Sequence, residues 1–352
     1  MKMELNKEYV LALIAVVLGL LAGAILMMLT GNNPLQGYYF LIRGGLMSIE
    51  RVGNTLATAT PLIFTGLAVA FAFRTGLFNI GAAGQMLAGG LCATAIGLSF
   101  AWPKVILLPT AVLGALIAGA LWGFVPGYLK SRFNVHEVVS SIMMNWIAYW
   151  TVYYVVPGYF KGPYLETESR KITEAASLKV VWLTKMFNGS YINLGFFLAV
   201  LAVIVIGFIL NKTTLGYELK AVGFNRHAAE YAGIRSSRNI VISMMISGAL
   251  AGLGGAAFYI GYASNIQIGV MPSQGFDGIA VSLLGANSPW GVFFAAVFFG
   301  LLHSGKGFMN AMTNIPPEIA DSIIATIIYF AATSILIERS WDRLKKYLRG
   351  AK

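Results

Sequence analysis

Long apolar runs with almost no charge alternate with short polar bridges that hold nearly all of it, and this segregation limits the chain to a membrane fold. The first run, from Val10 to Leu29, has no charged residue. A helix crosses a bilayer with about 20 such residues, so each long run is a candidate span. Only 11% of all residues are charged, against about 25% in soluble domains.

A cleavable secretory signal is the alternative for the first run, but its apolar part usually has about 7–15 residues and precedes a soluble body. Further apolar runs follow here, so we expect an uncleaved first span. The pattern predicts an all-α polytopic membrane protein with a single transmembrane domain, 1–352, and about ten transmembrane helices. The expected spans are 10–30, 54–73, 77–100, 105–128, 137–156, 194–210, 239–262, 277–287, 290–303 and 319–337.

Two of these segments, 277–287 and 290–303, are too short for a full crossing, so we expect half-helices or one broken hairpin. Orientation follows from Lys and Arg, which collect on the cytoplasmic side. With both termini cytoplasmic, the short outer loops hold only Arg43, Arg51, Lys104 and Lys306.

This orientation makes 157–193 an extracellular loop and places 211–238 and the tail 338–352 in the cytoplasm. The net charge of +11 is then a topology signal. Nucleic-acid binding is a poor explanation for it, because the basic residues lie beside span ends instead of on one face.

The stretch FRTGLFNIGAAGQMLAGG, residues 73–90, interrupts the apolar pattern with five glycines and two amides, Asn79 and Gln85. An amide that faces lipid is unfavourable, so these side chains must face protein or a water-filled cavity. Two interpretations stay open. The segment packs helices closely through small residues, or it lines a route for a polar solute, as broken segments do in transporters.

A second broken segment, residues 275–291, combines glycines with Asp277, Ser282 and Asn287. Asp277 alternatively favours a helix N-terminus. Paired broken segments predict an internal repeat with the site at its interface. The copies would be 54–156 and 239–337, and they would be inverted because they start on opposite sides.

A polar stripe on the fifth span contains Asn145, with Trp146 beside it, and either bonds a neighbouring helix or lines the route. Glycines 119, 123 and 127 form a ladder that predicts a packing face. The predicted substrate pathway therefore consists of Phe78, Asn79, Gln85, Asn145, Trp146, Ser282 and Asn287, with the two aromatic rings as stacking surfaces.

The sequence contains no complete motif for catalysis or for metal binding. Gly300–Gly307 approaches a nucleotide-binding loop but has glycine where the magnesium-binding Ser or Thr belongs. One cysteine and three scattered histidines argue against a zinc site. We expect no catalytic residue, no metal and no cofactor bound directly, so uphill transport would use an ion gradient or a separate subunit. We also expect no ionisable group well inside a long span, which argues against gradient-driven transport.

The cytoplasmic segment contains a short helix with recognisable ends. Asn225 is a good N-cap and Gly233 a good stop. So short a helix is marginal alone in water, and its mixed face suits a groove on a partner protein. A solvated loop with one capped turn is the alternative.

The arrangement G-x-N-x-x-A-A-x-Y-x-G-I, from Gly223 to Ile234, resembles the coupling helix of type II-like ABC importer permeases, in the family of branched-chain amino acid, ribose and nucleoside permeases. FRTGLFNIGAAGQ resembles the nucleoside branch, which works with binding lipoproteins. Many relatives have an acidic residue where this chain has Ala83. The resemblance assigns ATPase coupling to Gly223, Asn225, Arg226, His227, Ala228, Ala229, Glu230, Tyr231 and Gly233.

The resemblance implies import of nucleosides across the cytoplasmic membrane of a prokaryote. ATP and Mg²⁺ would bind a cytoplasmic ABC ATPase, and the other partners would be a second permease subunit, a paralogue by the departure at Ala83, and an extracellular substrate-binding lipoprotein. Ribose or another simple sugar is the alternative cargo. A gradient-driven secondary transporter is the alternative class.

Overall fold

The computed structural model describes residues 2–333, with side chains from residue 10 onward. In this range the chain is almost entirely helical. The predicted tail 338–352 and the last residues of the span 319–337 lie outside it. The helices are α1 Lys2–Leu29, α2 Pro34–Leu46, α3 Ile49–Arg74, α4 Ala82–Ser99, α5 Lys104–Phe133, α6 Glu137–Tyr159, α7 Val181–Met186, α8 Gly195–Lys212, α9 Thr214–Phe224, α10 Arg226–Tyr231, α11 Ser236–Ala256 with a π-helical extension Ala257–Ala263, α12 Gln274–Leu284, α13 Pro289–Thr313 and α14 Glu318–Ala332.

Seven of the described helices are long and apolar enough to cross a membrane: α1, α3, α4, α5, α8, α11 with its extension, and α13. The all-helical membrane fold is thereby confirmed, while a count of ten spans is not. Helix α6 has 23 residues and is also long enough. Helix α2 was not predicted from the sequence.

The pair of short segments after residue 275 was predicted wrongly. Of the two segments, only α12 is short, with 11 residues. Helix α13 has 25 residues and is a full-length candidate span, so 290–303 is neither a half-helix nor part of a broken hairpin. Gly300–Gly307, which was treated as a loop, is helical and lies inside α13.

Helices α3 and α11 form the centre of the bundle. Most of α3 is buried, and its side chains Phe64 and Phe71 are among the largest that are fully enclosed. Helices α4 and α5 pack on α11, while α12 and α13 pack on α3. Each central helix therefore carries the helices that follow the other one in sequence. This reciprocal packing fits an internal repeat, whose boundaries and inversion stay predictions.

A close helix crossing between α5 and α11 is made by glycines. A Cβ atom on Gly119 would overlap the carbonyl oxygen of Gly248, and one on Gly123 would overlap that of Met244. Small residues let two helix backbones approach in this way. The prediction that the glycine ladder on α5 is a packing face is confirmed.

The two long polar segments contact opposite ends of α3. On the predicted extracellular loop, the Tyr191 backbone N–H donates to Asn54 Oδ1 at 2.9 Å, near the start of α3. At the other end of α3, Gly223 of α9 lies against the backbone of Arg74 and Gly76. The segments 157–193 and 211–238 are therefore at opposite ends of the bundle, as expected if they lie on opposite sides of the membrane.

Candidate functional site

Asn79 and Gln85 form a closed pair of side-chain amides between α3 and α4. Asn79 Nδ2 donates to Gln85 Oε1 at 2.8 Å and to Ser247 Oγ at 2.7 Å. In return, Gln85 Nε2 donates to Asn79 Oδ1 at 3.2 Å, and the Gly81 N–H donates to the same oxygen at 3.0 Å. Gly76, with a φ of 72°, makes the turn that brings these residues back against α11.

Asn145 of α6 joins the same region. Its Oδ1 accepts from the Gly84 N–H at 2.8 Å, and its Nδ2 donates to the Ile80 carbonyl at 3.0 Å. It thus ties α6 to the first turn of α4. We call Asn79, Gln85, Asn145 and Ser247 the amide cluster. All four are buried, so its hydrogen bonds favour the helix-packing interpretation over the pathway interpretation.

Ala83 lies next to this cluster, in a tight contact between two helices. It is fully buried, and a Cβ on Gly275 of α12 would overlap its backbone. The starts of α4 and α12 therefore meet there without room for a longer side chain. An acidic residue at this position would be buried in a tight contact, which is costly without a partner.

Ser282 and Asn287 are not part of the amide cluster. Ser282 Oγ donates to Asn287 Oδ1 at 2.6 Å, in the turn between α12 and α13. The carbonyl oxygens of Asn287 and Ala286 accept from the guanidinium of Arg74 at 3.0 and 3.4 Å. These bonds fasten the turn to the end of α3 that contacts α9.

The two predicted stacking rings are also separated. Phe78 stacks on Phe73, with ring centroids 5.4 Å apart. Trp146 is half exposed on α6 and contacts Tyr149 edge to face. Because neighbouring residues on a helix point in different directions, Trp146 faces away from the side that buries Asn145. A contact of these rings with cargo stays a prediction.

The segment 211–238, which we call the coupling segment after its predicted role, has the local structure that its sequence predicts. Asn225 Oδ1 accepts from the Ala228 N–H at 3.0 Å and caps α10. Gly233 follows the helix with a φ of 83°. Ala229 is buried, and the apolar residues of its cluster are Ala72, Leu77, Val222, Ile240 and Met244. The helix is thus packed on the bundle through one small residue. This packing favours the docked helix over the alternative of a solvated loop.

The outer face of this segment is unusually exposed. Tyr231 is 95% and Phe224 91% exposed, and Arg226 Nε pairs with Glu230 Oε1 at 3.2 Å on the same short helix. Exposed aromatic residues beside charged ones mark protein-binding surfaces. On α9, burial lowers the pKa of Lys220, and the neighbouring Arg74 lowers it further.

At the opposite end of the bundle lies a cavity of about 470 Å³ that sequence reasoning missed. We call it the outer cavity, because the predicted extracellular loop contributes Tyr191 to its wall. The other lining residues come from α3, the π-helical extension, α12, α13 and the start of α14. They are Arg51, Asn54, Ala57, Thr58, Pro61, Leu62, Phe258, Tyr262, Ser273, Gln274, Asp277, His303, Ser304, Lys306, Gly307 and Pro317.

Ionisable side chains gather in this wall. His303 Nε2 lies 3.7 Å from Asp277 Oδ2, and its Nδ1 lies 4.0 Å from Asp321 Oδ1. Lys306 Nζ holds both oxygens of Asp321, at 2.8 and 3.0 Å. The expectation that no ionisable group lies well inside a long span was wrong, since His303 is in the middle of α13. It was missed because α13 was expected to end at residue 303.

Comparison with known proteins identifies the class. Residues 51–332 match the family model described as "Branched-chain amino acid transport system / permease component", and the chain belongs to this permease family. It is 46% identical to the guanosine ABC transporter permease protein NupP of Bacillus subtilis over 335 residues, which cover 95% of this chain and 96% of the relative.

Two further relatives bear on the cargo. The nucleoside ABC transporter permease protein NupB of Lactococcus lactis is 40% identical over 95% of this chain and 93% of its own length. The glucose ABC transporter permease protein TsgB13 of Haloferax volcanii is 31% identical over 93% of this chain and 87% of its own length. No solved structure matches the chain significantly.

Proposed function

We propose that this chain is the membrane-spanning permease subunit of an ABC importer for nucleosides. The two relatives with the higher identities, at 46% and 40%, are guanosine and nucleoside permeases. The glucose permease, at 31%, gives less support to a sugar as the cargo. Because so much of each chain is covered, the resemblance extends over the whole bundle and not over one motif.

The observation that carries the ATP-driven mechanism is the docked and exposed helix α10. Its inner residue Ala229 fixes it to the bundle, while Tyr231 and the adjoining Phe224 face solvent. A helix of six residues is marginally stable alone, so its position is set by the residues that contact it. A cytoplasmic ATPase that grips these aromatic rings would therefore move α10 directly.

The contacts of α9 and α10 give that motion a route into the membrane. Ser236 Oγ donates to the Arg226 carbonyl at 3.3 Å, and Asn239 Nδ2 donates to Glu218 at 2.9 Å, which join the segment to α11. Gly223 touches the backbone at Gly76, where the interruption between α3 and α4 begins. Displacing α9 would tilt the two central helices, α3 and α11. The cargo route would then open alternately to the two sides of the membrane.

The remaining partners follow from the same family. A second permease subunit would complete the translocation route, and an extracellular binding lipoprotein would deliver the nucleoside. ATP and Mg²⁺ would bind only to the ATPase. The cytoplasmic membrane of a prokaryote, with both termini inside, is the location that this arrangement requires.

Co-expression with the ABC ATPase and the second permease tests the proposal. Tyr231→Ser and Phe224→Ser should each reduce the ATPase that co-purifies at least about tenfold, because exposed aromatic anchors dominate such interfaces. Tyr164→Ser is the matched control, since Tyr164 is 92% exposed but lies on the extracellular loop. Full retention of the ATPase by both coupling-segment variants would contradict the docking role.

A further inference from the structure

The outer cavity has a chemistry that the amide cluster lacks. We propose that it is a nucleoside-binding site of the permease itself, entered from the extracellular side, and this rests on the nucleoside-import function proposed above. Its volume of about 470 Å³ lies within the range of about 300–1,000 Å³ that is usual for small-molecule sites.

The first line of support is hydrogen-bonding capacity that the protein leaves unused. Within the described part of the chain, His303 Nε2 is buried without a hydrogen-bond partner. At 3.7 Å, the carboxylate of Asp277 is too far away to satisfy it. Polar and ionisable groups at such positions are costly in a membrane protein and mark routes for solutes. A ribose hydroxyl beside this pair could donate to the carboxylate of Asp277 and accept from His303.

The second line is an aromatic surface beside these groups. Phe258 and Tyr262 stack with an interplanar angle of 20° and centroids 5.9 Å apart. The ring centroid of Tyr191, from the extracellular loop, lies 5.6 Å from that of Tyr262, on the same side of the cavity. A nucleobase stacks on such rings whatever its identity. Base and sugar would thus meet different walls of one cavity.

The charges favour a neutral solute over a nucleotide. The ammonium of Lys306 is held by both oxygens of Asp321 and is therefore compensated. The guanidinium of Arg51, the other permanent cation of the wall, lies over the ring of Phe308 at 5.1 Å. Together with Asp277 and Asp321, these two cations leave the wall without net charge, so a phosphate would meet no surplus of positive charge there. The geometry accordingly fits nucleosides better than their phosphates.

Thiol protection tests occupancy directly. Thr58 lines the cavity, and Cys92 is the only cysteine of the chain, so Thr58→Cys is made in a Cys92→Ser background. The complete transporter is reconstituted and labelled from outside with a membrane-impermeant thiol reagent. Millimolar adenosine should slow labelling several-fold, while AMP and ribose should not. Tyr164→Cys, on the exposed loop, should be labelled equally in all conditions.

Uptake by the same vesicles separates the two proposals. Asp277→Asn and Tyr262→Leu should each lower ATP-driven adenosine uptake about tenfold, since the hydrogen bond at position 277 loses its charge in the first variant and a stacking ring is lost in the second. Each should also abolish protection of the thiol introduced at position 58, which a merely structural defect elsewhere would leave. Tyr262→Phe, which keeps the ring, should retain both.

If the wild-type transporter takes up no nucleoside, the proposed function fails and this site with it. If it takes up adenosine but adenosine leaves the labelling at position 58 unchanged, only the site is overturned. Protection by ribose as strong as that by adenosine would overturn the nucleoside class, because the aromatic wall would then be without a role.

Discussion

The amide cluster and the outer cavity both place polar side chains inside a membrane protein, but they differ in how far the hydrogen bonds of these side chains are satisfied. Asn79 and Gln85 bond each other and their neighbours within 3.2 Å, and both are almost fully buried. In the cavity, His303 has a buried nitrogen without a partner among the described residues. Polar groups that are mutually satisfied stabilise a fold, whereas unsatisfied ones beside open space are available to a ligand.

Under the proposed function, the two regions would also have different roles. The amide cluster fixes the interruption between α3 and α4, which touches α9 through Gly76 and Gly223. It therefore lies where force from the cytoplasmic side would enter. The outer cavity lies at the other end of α3. Changes in the first region should act on stability and coupling, and changes in the second on solute binding.

The largest effect on stability should come from Asn79→Leu. It removes both side-chain hydrogen bonds of Gln85 and leaves the Gly81 N–H unpaired, so we expect a loss of about 2–4 kcal/mol. Thermal unfolding of the purified permease measures it. Asp277→Asn is the matched cavity variant and should change stability by less than about 1 kcal/mol, because its partners are weaker. Equal losses for the two variants would erase the distinction between the regions.

A smaller effect is expected from Arg74→Gln at the end of α3 that contacts α9. Two hydrogen bonds from a charged group to the turn at Asn287 are lost, which costs about 1–3 kcal/mol. Uptake should fall more than binding of adenosine, as measured by protection of the thiol introduced at position 58. Loss of protection with normal uptake would show that Arg74 acts on solute binding, which would contradict its assignment to the coupling region.

The smallest effect should come from Ser282→Ala. It removes a single hydrogen bond to Asn287, worth about 0.5–1.5 kcal/mol. The rank order of cargoes in a competition assay should not change, since the side chain bonds the α12–α13 turn and does not line the outer cavity. A changed order of adenosine, deoxyadenosine and ribose would return Ser282 to the substrate pathway.

The coupling segment could be predicted well because its signals are local. A capping side chain at Asn225 and a left-handed residue at Gly233 act on their own neighbours in sequence, and both have the expected geometry. The glycine ladder on α5 was also recognisable, since its period matches one helix face. Segregated charge was enough to predict a helical membrane protein.

The outer cavity could not be predicted because it depends on contacts between distant segments. Helix α13 continues through Gly300 and Gly305, which look like loop residues but lie against Thr55 of α3 and Leu41 of α2. Only this packing places His303 opposite Asp277. The amides were recognised correctly as inward-facing, yet whether they bond each other or a solute is decided by geometry that one sequence does not contain.

The ionisable groups in the cavity make the source of energy the decisive question. We propose that the chain itself supplies no energy for transport, and the most direct test compares two sets of liposomes. The permease pair with its ATPase and binding lipoprotein should accumulate adenosine only when ATP is supplied. The permease pair alone, given a proton or sodium gradient, should not. Accumulation by the permease pair under a gradient alone would contradict the account.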